Sequence, residues 1–230
     1  MKIINMTLCA LAATLFTSCF SIHINNDKRI VCKGEVETHE MNLEAFRQVV
    51  LNGSADLEIS QAEACRVKVT ANEEVFQYLD YRVEDGVLIL ETAKDGKPVH
   101  IQAKTFTVYL SAPLLESLTV NGAADAEMSG YTSDSEIAMT VNGAGDISLS
   151  DIKVPTLRFA VNGAGDLDAK GLDTGNLYVS VTGAGDIRLS GQSGYANFSV
   201  TGAGDIDARG LDCPKVDKHK SGAASIRLKK

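Results

Sequence analysis

One short motif recurs through the second half of the chain at an almost constant interval. Copies with the pattern Val-Asn/Thr-Gly-Ala-Ala/Gly-Asp end at Asp125, Asp146, Asp166, Asp186 and Asp205, and a degraded copy ends at Ser225. The steps between these positions are 21, 20, 20, 19 and 20 residues. A period of this length is typical of repeat architectures, in which each unit buries its apolar side only against its neighbours.

Short stretches of alternating apolar and polar residues flank each copy. Leu157, Phe159 and Val161 precede one corner, while Ile147 and Leu149 follow another. Such alternation predicts short strands with one buried face, and no helical period appears in this half. Stacking the units one strand spacing apart, about 4.8 Å, would bury the apolar side chains in one column. The repeat therefore predicts an all-β solenoid with coils of about 20 residues.

The corners between these strands are rich in glycine. Because glycine adopts a positive φ at little cost, we expect both glycines of each Gly-Ala-Gly corner to serve the turn conformation. They are Gly143, Gly145, Gly163, Gly165, Gly183, Gly185, Gly202 and Gly204. No copy matches the G-x-G-x-x-G or P-loop patterns of phosphate binding, and a corner used five or six times indicates a structural role.

In a stack with this period, the corner aspartates of successive coils stand one above another. Two like charges about 4.8 Å apart repel by about 1 kcal/mol in water and about 3.5 kcal/mol at an effective dielectric of 20. We favour backbone N–H donation from the Gly-Ala-Gly corner, as in an Asx-type turn, as the compensating interaction. A bound Ca²⁺ is the alternative, although calcium-binding nonapeptide solenoids have a period of nine. The prediction is therefore a structural column without metal, and a calcium-stabilised adhesive array stays open.

Two further columns follow from the same register. Asn and Thr side chains that can hydrogen-bond along a stack, or offer a ligand a polar stripe, occur at Asn121, Asn142, Asn162, Thr182 and Thr201. The outward position two residues after each corner reads Glu127, Ser148, Asp168, Arg188, Asp207 and Arg227. Since the sign alternates over the last four, we expect a column of neighbouring opposite charges.

Residues 34–118 carry a weaker pattern. Residues 51–56 are a degenerate copy of the motif, residues 73–79 predict one or two helical turns, and Asp85-Gly86 predicts a hairpin turn. We interpret this half as irregular coils of the same solenoid with an inserted hairpin. No Pro- or Ser-rich linker intervenes, so the sequence predicts a single domain over 34–230 with regular repeats over 116–230.

The first residues are typical of an export signal. Lys2 precedes a mostly apolar run over 3–16 that is too short to span a bilayer. The run ends in Leu-Phe-Thr-Ser-Cys at 15–19, which resembles a bacterial lipobox with Phe16 where Leu is usual. We expect residues 1–18 to be a lipoprotein signal peptide and 19–33 a tether lipidated at Cys19; a plain secretory signal is the alternative.

Lipidation at Cys19 would place the protein in the cell envelope. Each buried acyl CH₂ contributes about 0.8 kcal/mol, so the chains would hold the protein on a membrane without a spanning helix. The prediction is an outer-membrane anchor, with the leaflet left open.

Composition narrows the function classes. A net charge of −8 and no evident basic cluster argue against nucleic acid as a partner. Cys32, Cys65 and Cys213 are an odd number in an oxidising compartment, with a Cys32–Cys65 disulfide one option. The four His residues lie far apart, and no G-x-S-x-G or H-E-x-x-H motif is present. The sequence thus predicts no enzyme and no cofactor, with a carbohydrate-active β-helix enzyme as the alternative.

The chain resembles a known family over roughly residues 40–228. The lipoprotein signal, the β-rich first half, the segment Pro-Leu-Leu-Glu-Ser-Leu at 113–118 and the iterated Gly-Ala-Gly-Asp-Ile corners are similar to the putative auto-transporter adhesin, head GIN domain family. The resemblance implies a right-handed β-helix-like envelope protein of Gram-negative bacteria. We therefore expect a lipid-anchored, non-enzymatic solenoid that presents a binding surface to a glycan or to an envelope or host protein. Homo-oligomers are compatible with this prediction.

Overall fold

The computed structural model describes residues 29–229. Within this range there is one 3-10 helix, Glu73–Gln77, and nineteen strands. The strands before the regular repeats are β1 (Ile30–Cys32), β2 (Val36–Met41), β3 (Gln48–Gly53), β4 (Asp56–Gln61), β5 (Arg66–Asn72), β6 (Leu79–Glu84), β7 (Val87–Lys94), β8 (Lys97–Pro98), β9 (Ile101–Ala103) and β10 (Phe106–Ala112). None of the helical structure at 29–229 is long and apolar enough to cross a membrane.

The remaining strands follow the repeat. They are β11 (Ser117–Gly122), β12 (Ala126–Thr132), β13 (Ile137–Gly143), β14 (Ile147–Gly163), β15 (Leu167–Gly183), β16 (Ile187–Gly202), β17 (Asp205–Asp212), β18 (Val216–Gly222) and β19 (Ser225–Leu228). β14 pairs in parallel with β15 from Ile147↔Leu167 to Gly163↔Gly183, a constant offset of 20 residues. The predicted β-solenoid with coils of about 20 residues is therefore confirmed.

Each regular coil has three flat segments, which we name faces A, B and C. Face A precedes the glycine corner and comprises 117–122, 137–143, 157–163, 177–183, 196–202 and 216–222. Face B follows that corner, as at 147–150 and 167–170, and face C follows face B, as at 152–154 and 172–174. The bend from face B to face C uses a positive φ, 55° at Asp151 and 64° at Gly171.

The interior is one continuous apolar column. On face A, Phe159 and Phe198 are at most 1% exposed, and on face B the same holds for Leu167, Ile187 and Ile206. Because alternate residues of a strand point to opposite sides, the inward positions of every coil fall into register with those of the next. This explains why the period of two was readable from the sequence.

The first solenoid coil lies far upstream in sequence. β3 pairs in parallel with β11, and β4 pairs with β12, so residues 48–61 stack directly beneath 117–128. This coil keeps faces A and B in register but has no strand at face C, so it is incomplete, in agreement with the expected irregular first half. The degenerate motif at 51–56 still carried enough apolar alternation to identify it.

The segment between these two coils closes one end of the column. β7 adds in parallel to β3 and β10 adds in parallel to β4, after which β6, β5 and β2 continue in antiparallel pairing. The predicted hairpin at Asp85-Gly86 is confirmed, with φ of 50° and 78° at the two residues. The predicted helical turn is the 3-10 helix Glu73–Gln77. We call β2, β5, β6, β7 and β10 the cap.

Candidate functional site

The corner aspartates form the column that the period predicts, but their hydrogen bonds run between coils. The N–H of Asp146 donates to Asp125 Oδ1 at 2.9 Å, and that of Asp186 donates to Asp166 Oδ1 at 2.8 Å. Equivalent bonds join the N–H of Asp166 to Asp146 Oδ1 at 3.1 Å and of Asp205 to Asp186 Oδ1 at 3.3 Å. The expected donor, the Gly-Ala-Gly corner of the same coil, is therefore wrong. Each carboxylate instead holds the next coil, which offsets the repulsion within the column.

Both glycines of each corner are required by the close approach of the coils, because a Cβ at either would overlap a carbonyl oxygen of the coil beneath, and the first glycine has a conformational reason as well. Gly163 has a φ of 148°, so the expected conformational reason holds for the first glycine. At Gly165 the backbone is not in the left-handed region, and a Cβ there would overlap the carbonyl oxygen of Gly145. The second glycine is thus required by the close approach of coils, and the expectation of a positive φ at Gly145, Gly165, Gly185 and Gly204 is wrong.

Asparagine amides form a second ladder beside the corner. Nδ2 of Asn121 donates to Oδ1 of Asn52 at 2.8 Å, and Asn142 and Asn162 continue the chain at 2.8 and 2.9 Å. The structural interpretation of this column agrees with these bonds. Asn52 extends the ladder into the first coil, 69 residues before its partner.

The outward charge column has the expected register. In the parallel strand register, Asp168 lies beside Arg188, Arg188 lies beside Asp207, and Asp207 lies beside Arg227. The ion pairs of Asp168 and Asp207, however, form within coils, to Lys170 at 2.8 Å and to Arg209 at 2.5 Å, whereas Arg227 pairs with Asp205 of the coil below at 3.0 Å. Hydrogen bonds from Arg209 lower the pKa of Asp207 to about 2.

The three cysteines of the described region are free. Cys32 is buried, which raises the pKa of its thiol, and Cys65 and Cys213 are partly buried. The optional Cys32–Cys65 disulfide is therefore absent from the structure. Cys19, the predicted lipidation site, lies outside the described residues.

The described surface offers shallow clefts. One of about 420 Å³ lies beside the cap and is lined by residues such as Met41, Leu43, Arg66 and Tyr109. Lys68 Nζ lies 4.4 Å from the centroid of the Tyr109 ring at the same place. Between residues 29 and 229, no three His, Cys, Asp or Glu side chains are grouped closely enough to hold a metal ion.

Sequence reasoning missed a concentration of basic residues in the last coil. Lys215, Lys218, Lys220, Arg227 and Lys229 all lie in or beside β18 and β19. The statement that no basic cluster is evident is therefore wrong. A count of charge by coil, instead of over the whole chain, would have found it.

Solved structures share this fold. A protein described as a putative lipid binding protein from Parabacteroides distasonis ATCC 8503 is 24% identical, with a TM-score of 0.77, covering 88% of this chain and 97% of that chain. A putative adhesin from the same strain is 19% identical, with a TM-score of 0.74 and coverage of 87% and 84%. A putative adhesin from Parabacteroides merdae ATCC 43184 is 21% identical, with a TM-score of 0.69 and coverage of 87% and 83%. No curated protein matches the chain significantly.

The sequence also matches a family model across most of its length. The match covers residues 45–230, from just before β3 of the first solenoid coil to the last repeat. Its range includes every glycine corner and the whole cap except β2. The chain therefore belongs to the family described as putative auto-transporter adhesin, head GIN domain.

Proposed function

We propose that this protein is a lipid-anchored, non-enzymatic binding module of the cell envelope. Membership of an adhesin family and the fold shared with adhesins support an adhesive or binding role. The observation that carries the proposal is that different residues of each coil stabilise the stack and face the solvent. Corner carboxylates and Asn amides hold the coils together, while the outward positions of faces A, B and C remain available to a partner.

A role without catalysis is supported by how the acidic groups are used. Acid–base catalysis needs a group whose pKa is moved toward the working pH and a second group placed to act with it. Asp207 moves the other way, to a pKa of about 2, and the repeated corner carboxylates accept backbone N–H groups. These carboxylates stabilise the stack and do not form a unique pair in a cleft.

The anchor would lie at the capped end of the solenoid. β1 begins at Ile30 and pairs with β9, which lies between the cap strands β7 and β10 in sequence. Ten residues separate Cys19 from Ile30, and a fully extended chain of this length reaches about 35 Å. The cap would therefore be the end of the solenoid to which the tether is attached, and the last coil would be the end farthest from it.

The anchor is tested by expressing the full chain in a Gram-negative host. We expect Cys19→Ala to abolish labelling by radioactive palmitate and to move the protein from the membrane to the soluble fraction. Cys213→Ala is the matched control, because it removes a thiol of the solenoid itself and should leave both readouts unchanged. Full processing and membrane retention of Cys19→Ala would contradict the anchor.

The binding role is tested by attachment of whole cells. Cells that display the protein should adhere to surfaces coated with envelope or host-type glycans and proteins more than cells without it. Wild-type cells that adhere to none of these surfaces would contradict the binding function. Hydrolysis or cleavage of a glycan by the purified full chain would contradict the non-enzymatic assignment.

A further inference from the structure

Charge is unevenly divided along the solenoid. Residues 213–230 contain six Lys or Arg and one Asp, a net charge of +5, so the chain total of −8 leaves −13 for residues 1–212. The basic residues of this segment belong to the last coil, which we name the basic end. A strongly acidic body with one basic end has a field that orients an approaching polyanion toward that end.

Two lysines of the basic end occupy positions that are apolar in the coils beneath. Lys218 pairs with Phe198 and Lys220 with Val200, and both of these partners are 0% exposed. In the last coil the same positions are exposed, so the alkyl stems can cover the end of the core while the ammonium groups reach water. Charged residues at an open strand edge also prevent pairing with another sheet.

Edge protection alone does not explain the sign of the charge. Glu or Asp would protect an edge as well, and this chain has more acids than bases. Within residues 29–229, no carboxylate lies within ion-pair distance of Lys215, Lys218 or Lys220, whereas Arg227 and Lys229 pair with acids of the coil below. Lys218 and Lys220 thus have no ion-pair partner, and the Lys215 ammonium lies 5.2 Å from the centroid of the Tyr195 ring. Such ammonium groups on one coil are the complement of an anionic ligand.

We propose that the basic end is a docking surface for an anionic polysaccharide. Alternate residues of a strand are about 6.8 Å apart, so Lys218 and Lys220 on β18 set a row of charge, and Arg227 on β19 with Lys229 directly after that strand sets a second. Two rows across an open surface match a polymer with repeated charges. A small single anion would instead need a concave site with convergent polar groups.

The position of the basic end favours a polymer over the lipid that holds the protein. Face A contains seven strand spacings from β7 in the cap to β18, about 34 Å. If the anchor is at Cys19, as proposed above, the basic end is the end farthest from the tether. The surface assignment rests on that proposal for its orientation, but the charges and their exposure do not depend on it.

The test uses the full chain in detergent micelles and immobilised polygalacturonate, with neutral dextran as the reference. Wild type should bind polygalacturonate and not dextran, and the Kd should rise steeply with salt because the contacts are ionic. Lys218→Glu with Lys220→Glu should raise the Kd at least tenfold at low salt. Lys94→Glu with Lys97→Glu is the matched control, because it makes the same charge change at exposed residues of the cap hairpin and should change the Kd less than twofold.

A second variant, Lys218→Gln with Lys220→Gln, removes the two charges without introducing acids and is less disruptive to folding. Thermal melting by circular dichroism is recorded for every variant. An intermediate loss of binding with an unchanged melt supports the proposal. Equal losses in the basic-end and control pairs would show that only net charge matters. Binding to dextran, or to anionic vesicles but not to polygalacturonate, would also overturn it.

The two proposals fail separately. If wild type does not bind polygalacturonate while cells displaying it still adhere to other surfaces, the polysaccharide assignment is wrong and the binding function stands. If Cys19→Ala stays on the membrane while the lysine pair still controls polygalacturonate binding, the anchor is wrong and the basic end stands.

Discussion

Gly165 provides the sharpest test of how the coils are held together. Its backbone has no positive φ, yet a Cβ there would come far closer than 3.0 Å to the Gly145 carbonyl oxygen, a separation that real Cβ atoms do not show. Gly165→Ala must therefore push two coils apart at the corner. The bonds beside it, from Ala164 N–H to Gly143 O at 2.8 Å and from Asp166 N–H to Asp146 Oδ1 at 3.1 Å, would lengthen together.

The expected cost follows from those bonds. Losing two hydrogen bonds at about 1 kcal/mol each, with some core packing, lowers the free energy of unfolding by about 2–3 kcal/mol. For a domain of this size that is a fall of about 5–10 °C in Tm. Gly96→Ala is the control, because Gly96 has a φ of 70° and open space around it, so only backbone strain of about 1 kcal/mol applies.

Circular dichroism melts and urea unfolding of the full chain measure both variants. Gly165→Ala should be the less stable of the two. The opposite order, or a Gly165→Ala melt equal to wild type, would refute the argument that close approach selects the second glycine.

Three further predictions test the remaining interactions. Asp166→Ala should lower the free energy of unfolding by about 1 kcal/mol, since the next coil loses its acceptor, whereas Asp166→Asn keeps an acceptor and removes charge repulsion; equal melts for the two would contradict this. Arg209→Gln should raise the pKa of Asp207 from about 2 toward 3.8, followed by carboxyl ¹³C NMR. A carboxyl whose pKa is lower in the folded state stabilises the fold at pH values above its unfolded pKa. The wild type should therefore lose this part of its free energy of unfolding as the pH falls from about 4 to 2, and the variant should not. An unchanged Asp207 titration in the variant would refute the pairing. Lys218→Phe with Lys220→Val should create an apolar open edge and drive self-association in sedimentation velocity, and a persistent monomer would contradict the edge-protecting role.

The repeat made the fold predictable because two local signals agreed. Apolar alternation fixed the inward face of each strand, and the near-constant interval between corners fixed which residues stack. Asn142 and Asn162 could be placed in one column from their spacing alone, and their amides do bond at 2.9 Å. The interval shortens to 19 residues where Gly183 lies beside Gly202. The structure accommodates the missing residue by a register shift between Ala169 and Leu172.

The cap was less predictable because its pairings are not periodic. β5 meets β10 and β2 in antiparallel registers that depend on chain reversal, and no repeated spacing marks them. Asp95-Gly96 is a second hairpin turn, with φ of 53° and 70°, and it carries the same Asp-Gly signal as Asp85-Gly86. It was missed because β8 after it is only two residues long.

The hydrogen-bond donors to the corner aspartates also lay beyond sequence reasoning. Spacing shows that Asp146 and Asp166 are neighbours in the stack. Which backbone N–H donates to each carboxylate depends on the distance between successive coils at the corner. Both corner glycines permit this distance, since their missing Cβ atoms let carbonyl oxygens of the coil below come close.

In this geometry, the residues that hold the coils in register differ from the outward residues that a partner can contact. On face B, Asp168 and Asp207 form ion pairs with residues two positions away on their own strands, Lys170 and Arg209, although an arginine is the cross-coil neighbour of each. Exposed pairs of this kind contribute little to stability, so outward residues can change without loss of the stack. Inward residues lack that freedom wherever another coil lies on both sides. Lys218 and Lys220 replace apolar residues only in the last described coil, where one side is open, and this is why specific charge can be concentrated there without cost to the core.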